Sequence, residues 1–130
     1  MRPRLLLALV SATILLSQGL AQAPLALKHG VYVQTGTPCT DPPNAAIVLW
    51  DGIGFSGAHD SKCTTMADPP KKNGTRRITT TCNALGDGTP TQSSTVTQRI
   101  TLRGDHSFTL KGEDGAGKPS GYRWCADRMP

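Results

Sequence analysis

His29, His59 and His106 are the three histidines of the 130-residue chain, and two of them adjoin a carboxylate, in His59-Asp60 and Asp105-His106. Two imidazoles with a carboxylate could run general acid–base hydrolysis or hold a metal ion. Cleavage of a phosphodiester would also need a cation on the phosphate, which Lys72, Arg76 or Arg77 could supply. His and Asp are, however, ordinary turn residues. No H-E-x-x-H, G-x-S-x-G or phosphate-cradling glycine loop accompanies them. The sequence therefore assigns no catalytic residue, no metal ligand and no cofactor.

A second concentration of chemistry is cationic. Lys62, Lys71, Lys72, Arg76 and Arg77 gather on one predicted hairpin, the densest charge in the chain. Such a patch could meet an acidic ligand, a lipid headgroup or a phosphate-bearing polymer. Lysines on a hairpin edge also simply discourage sheet-to-sheet aggregation. Asp60 and Asp68 dilute the patch, and aromatic residues make up only 5% of the chain, too few to offer stacking platforms for bases. The formal net charge of +5 falls to +3 once Arg2 and Arg4 are set aside, which argues against a dedicated nucleic-acid binder. Arg103-Gly104-Asp105 spells an adhesion tripeptide, but Gly-Asp is also what a hairpin turn wants. Asn73-Gly74-Thr75 satisfies the glycosylation pattern in an exposed turn.

The cysteines carry the remaining chemistry. Cys39, Cys63, Cys82 and Cys125 are even in number and show no close C-x-x-C-type spacing, so they read as two disulfides rather than a zinc site. Asp68-Pro69-Pro70-Lys71-Lys72-Asn73-Gly74 is a strong turn. Folding about Lys72 and Asn73 sets Cys63 opposite Cys82, Ala67 opposite Ile78 and Asp68 opposite Arg77. The expected pairing is Cys63–Cys82, which leaves Cys39–Cys125 to tie the early chain to its end.

An oxidising destination agrees with the N-terminus. Met1-Arg2-Pro3-Arg4 is positive, residues 5–16 are uncharged, and Gly19-Leu20-Ala21 supplies small residues for cleavage after Ala21. Twelve uncharged residues make only ~18 Å of helix, short of a bilayer. We read residues 1–21 as a signal peptide and 22–130 as a single exported β domain, periplasmic or extracellular, with no integral membrane anchor.

The elements that would position these residues are strands. Gly and Pro number 14 and 10, and Glu113 is the only glutamate, a composition that argues against a helical protein. Residues 30–34 alternate, with Val31 and Val33 on one face. Segments 45–50 and 53–57 flank Asp51-Gly52, which predicts a two-residue hairpin pairing Trp50 with Ile53 and Val48 with Phe55. The 61–82 hairpin follows, then strands at 94–102, 107–111 and 121–125, with loops at 83–93 and 112–120. The expected fold is all-β: a small antiparallel β-barrel or sandwich of about eight short strands with two disulfides. Its core candidates are Val31, Val33, Val48, Trp50, Ile53, Phe55, Ile78, Val96, Ile100, Leu102, Phe108, Leu110, Tyr122 and Trp124.

Val31-Tyr32-Val33, Thr37-Pro38-Cys39, Asp51-Gly52-Ile53-Gly54 and Tyr122-Arg123-Trp124-Cys125 together resemble small exported proteobacterial proteins of uncharacterised function. The likeness implies a periplasmic or secreted protein and no particular activity. Ser56-Gly57-Ala58-His59-Asp60 is similar to the Ser-Gly-Ala-x-Tyr loop of periplasmic c-type lysozyme inhibitors, which are small β-barrels. Asp60 stands where that family has Tyr. The first expectation for function is a non-catalytic exported β-module binding a protein or envelope component. Its expected contact residues are Ser56, His59, Asp60, Lys71, Lys72, Arg76 and Arg77. The alternatives are an inhibitor of a cell-envelope hydrolase and a small basic hydrolase using His59 and His106.

Overall fold

Alternation of apolar and polar residues is realised as eight antiparallel strands. They are β1 (Gly30–Gln34), β2 (Ile47–Trp50), β3 (Phe55–Ser56), β4 (Asp60–Ala67), β5 (Thr75–Leu85), β6 (Pro90–Leu102), β7 (Ser107–Gly112) and β8 (Ser120–Ala126). The computed structural model describes residues 25–114 and 117–128, and the signal-peptide reading of residues 1–21 lies outside them. A 3₁₀ turn at Asn44–Ala46 is the one helical element among the described residues. No described helix is long and apolar enough to cross a membrane.

Each strand neighbours the next in sequence, and β8 pairs with β1, so the sheet curls into a nearly closed barrel. The seam lies between β3 and β4. There the Thr65 amide donates to the Ile53 carbonyl at 2.9 Å, and the Phe55 amide donates to the Thr65 hydroxyl at 3.0 Å. Gly54 permits this approach, since a Cβ there would run into the Cys63 backbone. Because the strands alternate in direction, their connections alternate between two ends. Loops 51–54, 68–74 and 103–106 lie at one end, and loops 57–59 and 86–89 at the other, where β7 also ends and β8 begins.

The first end is closed. Leu25 and Leu27 of the lead-in segment pack into the interior with Tyr32, Trp50, Phe55, Ile78, Ile100 and Phe108. Phe108 is the hub of the aromatic set, with ring centroids 5.0 Å from Tyr32, 5.3 Å from Phe55 and 5.2 Å from Tyr122. Such contacts add roughly 0.5–1.5 kcal/mol each beyond burial. The Tyr32 hydroxyl donates to the Lys28 carbonyl at 2.6 Å and lies 3.1 Å from the Asp105 carbonyl, fixing the lead-in across this end. Burial, with the Asp105 charge adding to it, pushes the Tyr32 phenol up to about 12.

Both expected disulfides are present. Cys63–Cys82 joins directly paired positions of β4 and β5, with Cα atoms 4.0 Å apart, and Cys39–Cys125 pins residues 35–46 to β8 at 5.7 Å. The Ala67–Ile78 register also follows the sequence expectation. Two structural disulfides belong to an oxidising, exported location.

Four expectations are corrected. The Asp51-Gly52 hairpin has a four-residue loop pairing Trp50 with Phe55, because the Asp51 carboxylate accepts from both the Ile53 and Gly54 amides at 2.8 Å. Ile53 therefore sits in the turn, 64% exposed, rather than in the core. Val31 and Val33 share one face and are buried, as expected; they pack outside the barrel wall against Ala46 and Ile47, while Tyr32 between them fills the interior. Val96 faces inward yet is 52% exposed, because β6 outruns the barrel. Most of the expected 83–93 loop is strand: β5 continues to Leu85 and β6 starts at Pro90. Ala84 is the one buried apolar residue of the segment and Pro90–Ser93 are exposed, so no alternation announces these strands.

Candidate functional site

The strand register decides which cations meet. On β5 the even positions point inward and the odd ones outward, so Arg76 and Arg77 separate. Arg76 is buried, its Nε donating to the Asp68 carbonyl at 2.6 Å, and it is no part of a surface patch. Arg77 faces outward directly opposite Arg99 of β6, and Arg99 is directly opposite Lys111 of β7. The result is a row of three cations across three adjacent strands. Neighbouring strands lie about 4.8 Å apart, so the row runs roughly 10 Å. Like charges placed directly opposite destabilise a sheet by roughly 0.2–1 kcal/mol per pair.

A depression of about 230 Å³ lies over the Arg77–Arg99 part of this row, lined by Asp68, Lys71, Thr75, Arg77, Arg99 and Glu113 among others. Arg77 is the balanced member. Its Nε lies 3.0 Å from the Asp68 carboxylate and its Nη1 3.5 Å from that of Glu113, and hydrogen bonding to Asp68 above all strengthens its hold on its proton. Lys71, Arg77 and Arg99 line the depression with two carboxylates, and Lys111 continues the row beside Arg99. Thr75 and Thr101, whose hydroxyls are 3.0 Å apart, add neutral donors beside the row. Guanidinium forks and hydroxyls in this arrangement can bind oxyanions such as phosphate, sulfate or carboxylate.

Arg99, Lys111 and Glu113 were absent from the residues expected from sequence. The outward phase of Arg99 was legible, but its neighbours were not, since they follow from the pairing of β6 with β5 and β7. Lys71 lines the depression and Lys72 follows it in the same turn.

The other expected contact residues lie at the opposite end. Ser56 and Asp60 border the open mouth of the barrel, with Val48, Phe55, Val96 and Tyr122 inside it. Burial raises the Tyr122 phenol above its ordinary value. This cavity holds about 180 Å³. Drug-sized ligands take pockets of roughly 300–1,000 Å³, so the mouth suits a single side chain better than a carried small molecule. His59 stands beside it, its carbonyl accepting from the Gly86 amide at 2.9 Å.

His106 is at the closed end, hydrogen-bonded through Nδ1 to the Asp105 carboxylate and edge-on to Trp124 at 5.7 Å. That hydrogen bond holds the Asp105 carboxyl below its usual range. The His29 carbonyl accepts from Trp124 Nε1 at 3.0 Å, and the Lys28 ammonium sits 3.6 Å over the Trp124 ring. His59 and His106 thus occupy opposite ends of the barrel and share no site. Among the described residues, no three His, Cys, Asp or Glu side chains come together as a metal site.

Comparison with protein-family models, curated proteins and solved structures finds no match for this chain.

Proposed function

We propose that this protein is a non-catalytic exported β-module, periplasmic or extracellular, that binds a polyanionic component of the cell envelope on the outer face of β5, β6 and β7. The observation that carries the reading is the cross-strand row Arg77–Arg99–Lys111, with Lys71 above it. Two like-charge juxtapositions cost the free sheet stability, and a bound anion relieves both at once. Arg77 is partly neutralised already, so Arg99 and Lys111 supply most of the unspent attraction.

The test is retention on immobilised dextran sulfate, read as the salt concentration needed for release. The variant Arg99→Gln with Lys111→Gln is expected to elute at clearly lower salt than the parent protein. Lys62→Gln with Lys118→Gln removes the same formal charge elsewhere and is expected to elute later than the row variant. Equal elution of the two variants would reduce the interaction to net charge and remove the row as a site.

The second reading, inhibition of an envelope hydrolase, is favoured by Ser56 and Asp60 at a mouth sized for one partner side chain. It predicts dose-dependent inhibition of a c-type lysozyme that weakens in Ser56→Ala. Undiminished lysozyme turnover at saturating protein would exclude it.

A further inference from the structure

The two disulfides have different surroundings. Cys63 and Cys82 are both buried between β4 and β5. Cys39 is exposed and Cys125 half-buried. Beside this second bridge lies a cavity of about 170 Å³, lined by both cysteines and by Val31, Val33, Asp41 and Arg128 among others.

Arg123 completes the contrast. Its Nη1 donates to Cys39 Sγ at 2.8 Å and reaches Cys125 Sγ at 3.5 Å, while Nη2 donates to the Thr37 carbonyl at 2.8 Å. The sulfur of an intact disulfide is a weak acceptor, so this guanidinium is better matched to the thiolate that forms when the bond breaks. Arg128 and Asp41 bring one charge of each sign to the cavity, so the net charge beside the sulfurs is that of Arg123.

We propose that Cys39–Cys125 is an exchange site for a small anionic thiol, and that Cys63–Cys82 is not. The incoming thiol first gives its proton to solvent. Its thiolate attacks the exposed Cys39 Sγ, a new S–S bond forms there, and the Cys39–Cys125 bond breaks. The electron pair leaves on Cys125 Sγ, a thiolate held by the Arg123 guanidinium. A second thiolate then attacks the sulfur of the attached small thiol and frees Cys39 as a thiolate. Two small thiols are thereby oxidised to their own disulfide, and the protein takes up the two electrons. Exchange is fast where the attacked sulfur is accessible and the leaving thiolate is stabilised, and this bridge meets both conditions. The long loop it closes governs the equilibrium of reduction rather than access to the first attack. Exchange unties residues 35–46 from β8, above Val31 and Val33.

The proposal involves none of the residues of the cation row. Its test is brief exposure of the folded protein to 2-mercaptoethanesulfonate or to cysteamine at physiological ionic strength, compared at equal thiolate concentration. Freed thiols are then alkylated and the peptides mapped by mass spectrometry. The first product is expected to carry the small thiol on Cys39 and the alkyl group on Cys125, with Cys63 and Cys82 unlabelled. The anionic thiol is expected to react about threefold or more faster than the cationic one. In Arg123→Gln that ratio should fall toward one, while Arg123→Lys should keep it above one. The ratio isolates the charge, because a strap loosened by loss of the Thr37 contact speeds both thiols alike. Earlier labelling of Cys63 or Cys82 overturns the proposal, as does a small thiol attached to Cys125 first. A ratio unchanged in Arg123→Gln overturns it as well.

Discussion

β1 and β5 belong to the same barrel but are buried differently. β1 is enclosed on both faces: Tyr32 points into the aromatic interior, while Val31 and Val33 point outward beneath the 35–46 strap. β5 is enclosed on one face only, with Ile78, Thr80 and Cys82 inward and Thr79, Thr81 and Asn83 outward. Its outer face is a hydroxyl surface, with Thr81 bonded across to Thr95 at 3.0 Å. The strap makes the difference. Cys39–Cys125 holds it to β8, and the Arg123 guanidinium donates to the Thr37 carbonyl at 2.8 Å. A barrel wall can thus be core on both sides wherever a loop is pinned over it, and remain a binding surface elsewhere.

The strongest way to break that contrast is to release the strap. Replacing Cys39 and Cys125 with Ser opens a loop of 86 residues, against 19 for Cys63 and Cys82. Chain-entropy arguments put the losses at about 4.5 and about 3 kcal/mol. Chemical denaturation of the two double variants is expected to rank them in that order. The reverse order would mean that the strap adds little to folding.

Exchanging Val and Thr sharpens the same comparison. Val33→Thr buries a hydroxyl beneath the strap and is expected to cost about 1–3 kcal/mol. Thr79→Val on the outer face of β5 keeps the β-branch and should change stability by no more than about 0.5 kcal/mol. Equal costs would show that the outer face of β1 is wetter than its packing implies.

Tyr32→Phe probes the inner face of β1. At neutral pH it removes the hydrogen bond to the Lys28 carbonyl, worth about 1 kcal/mol. The folded-state value of about 12 lies above the ordinary value of 10.0, so the native state holds this proton more tightly than the unfolded chain. The resulting stability is complete below about pH 10 and lost as the pH rises toward 12. Thermal melts of parent and Tyr32→Phe are therefore expected to converge across that window. A constant gap would place the phenol in water.

Much of this architecture was legible residue by residue. The turn centred on Lys72 and Asn73 carried enough local information to set the β4–β5 register and with it Cys63–Cys82. Asp51-Gly52 marked a turn correctly, but the Asp51 carboxylate captured two amides and lengthened the loop, shifting Phe55 rather than Ile53 opposite Trp50. Residues 83–93 read as a loop because the start of β6 is solvated on both faces, Ala84 is the single buried residue of the segment, and no hydrophobic period announces either strand. The candidate site was half visible. Arg77, Lys71 and Lys72 were in view, while Arg76 proved to be buried and Arg99 and Lys111 joined from other strands.

Composition, alternation and turn chemistry determined by themselves that this chain builds short antiparallel strands and closes two disulfides. Those signals act over a few neighbouring residues, where side-chain direction and turn preference are set. Tertiary structure alone decided that Val33 is core beneath a strap, that three cations share one row, and that β6 runs past the end of β7. Each depends on which distant segment lies alongside, and only the closing of the whole barrel supplies that neighbour.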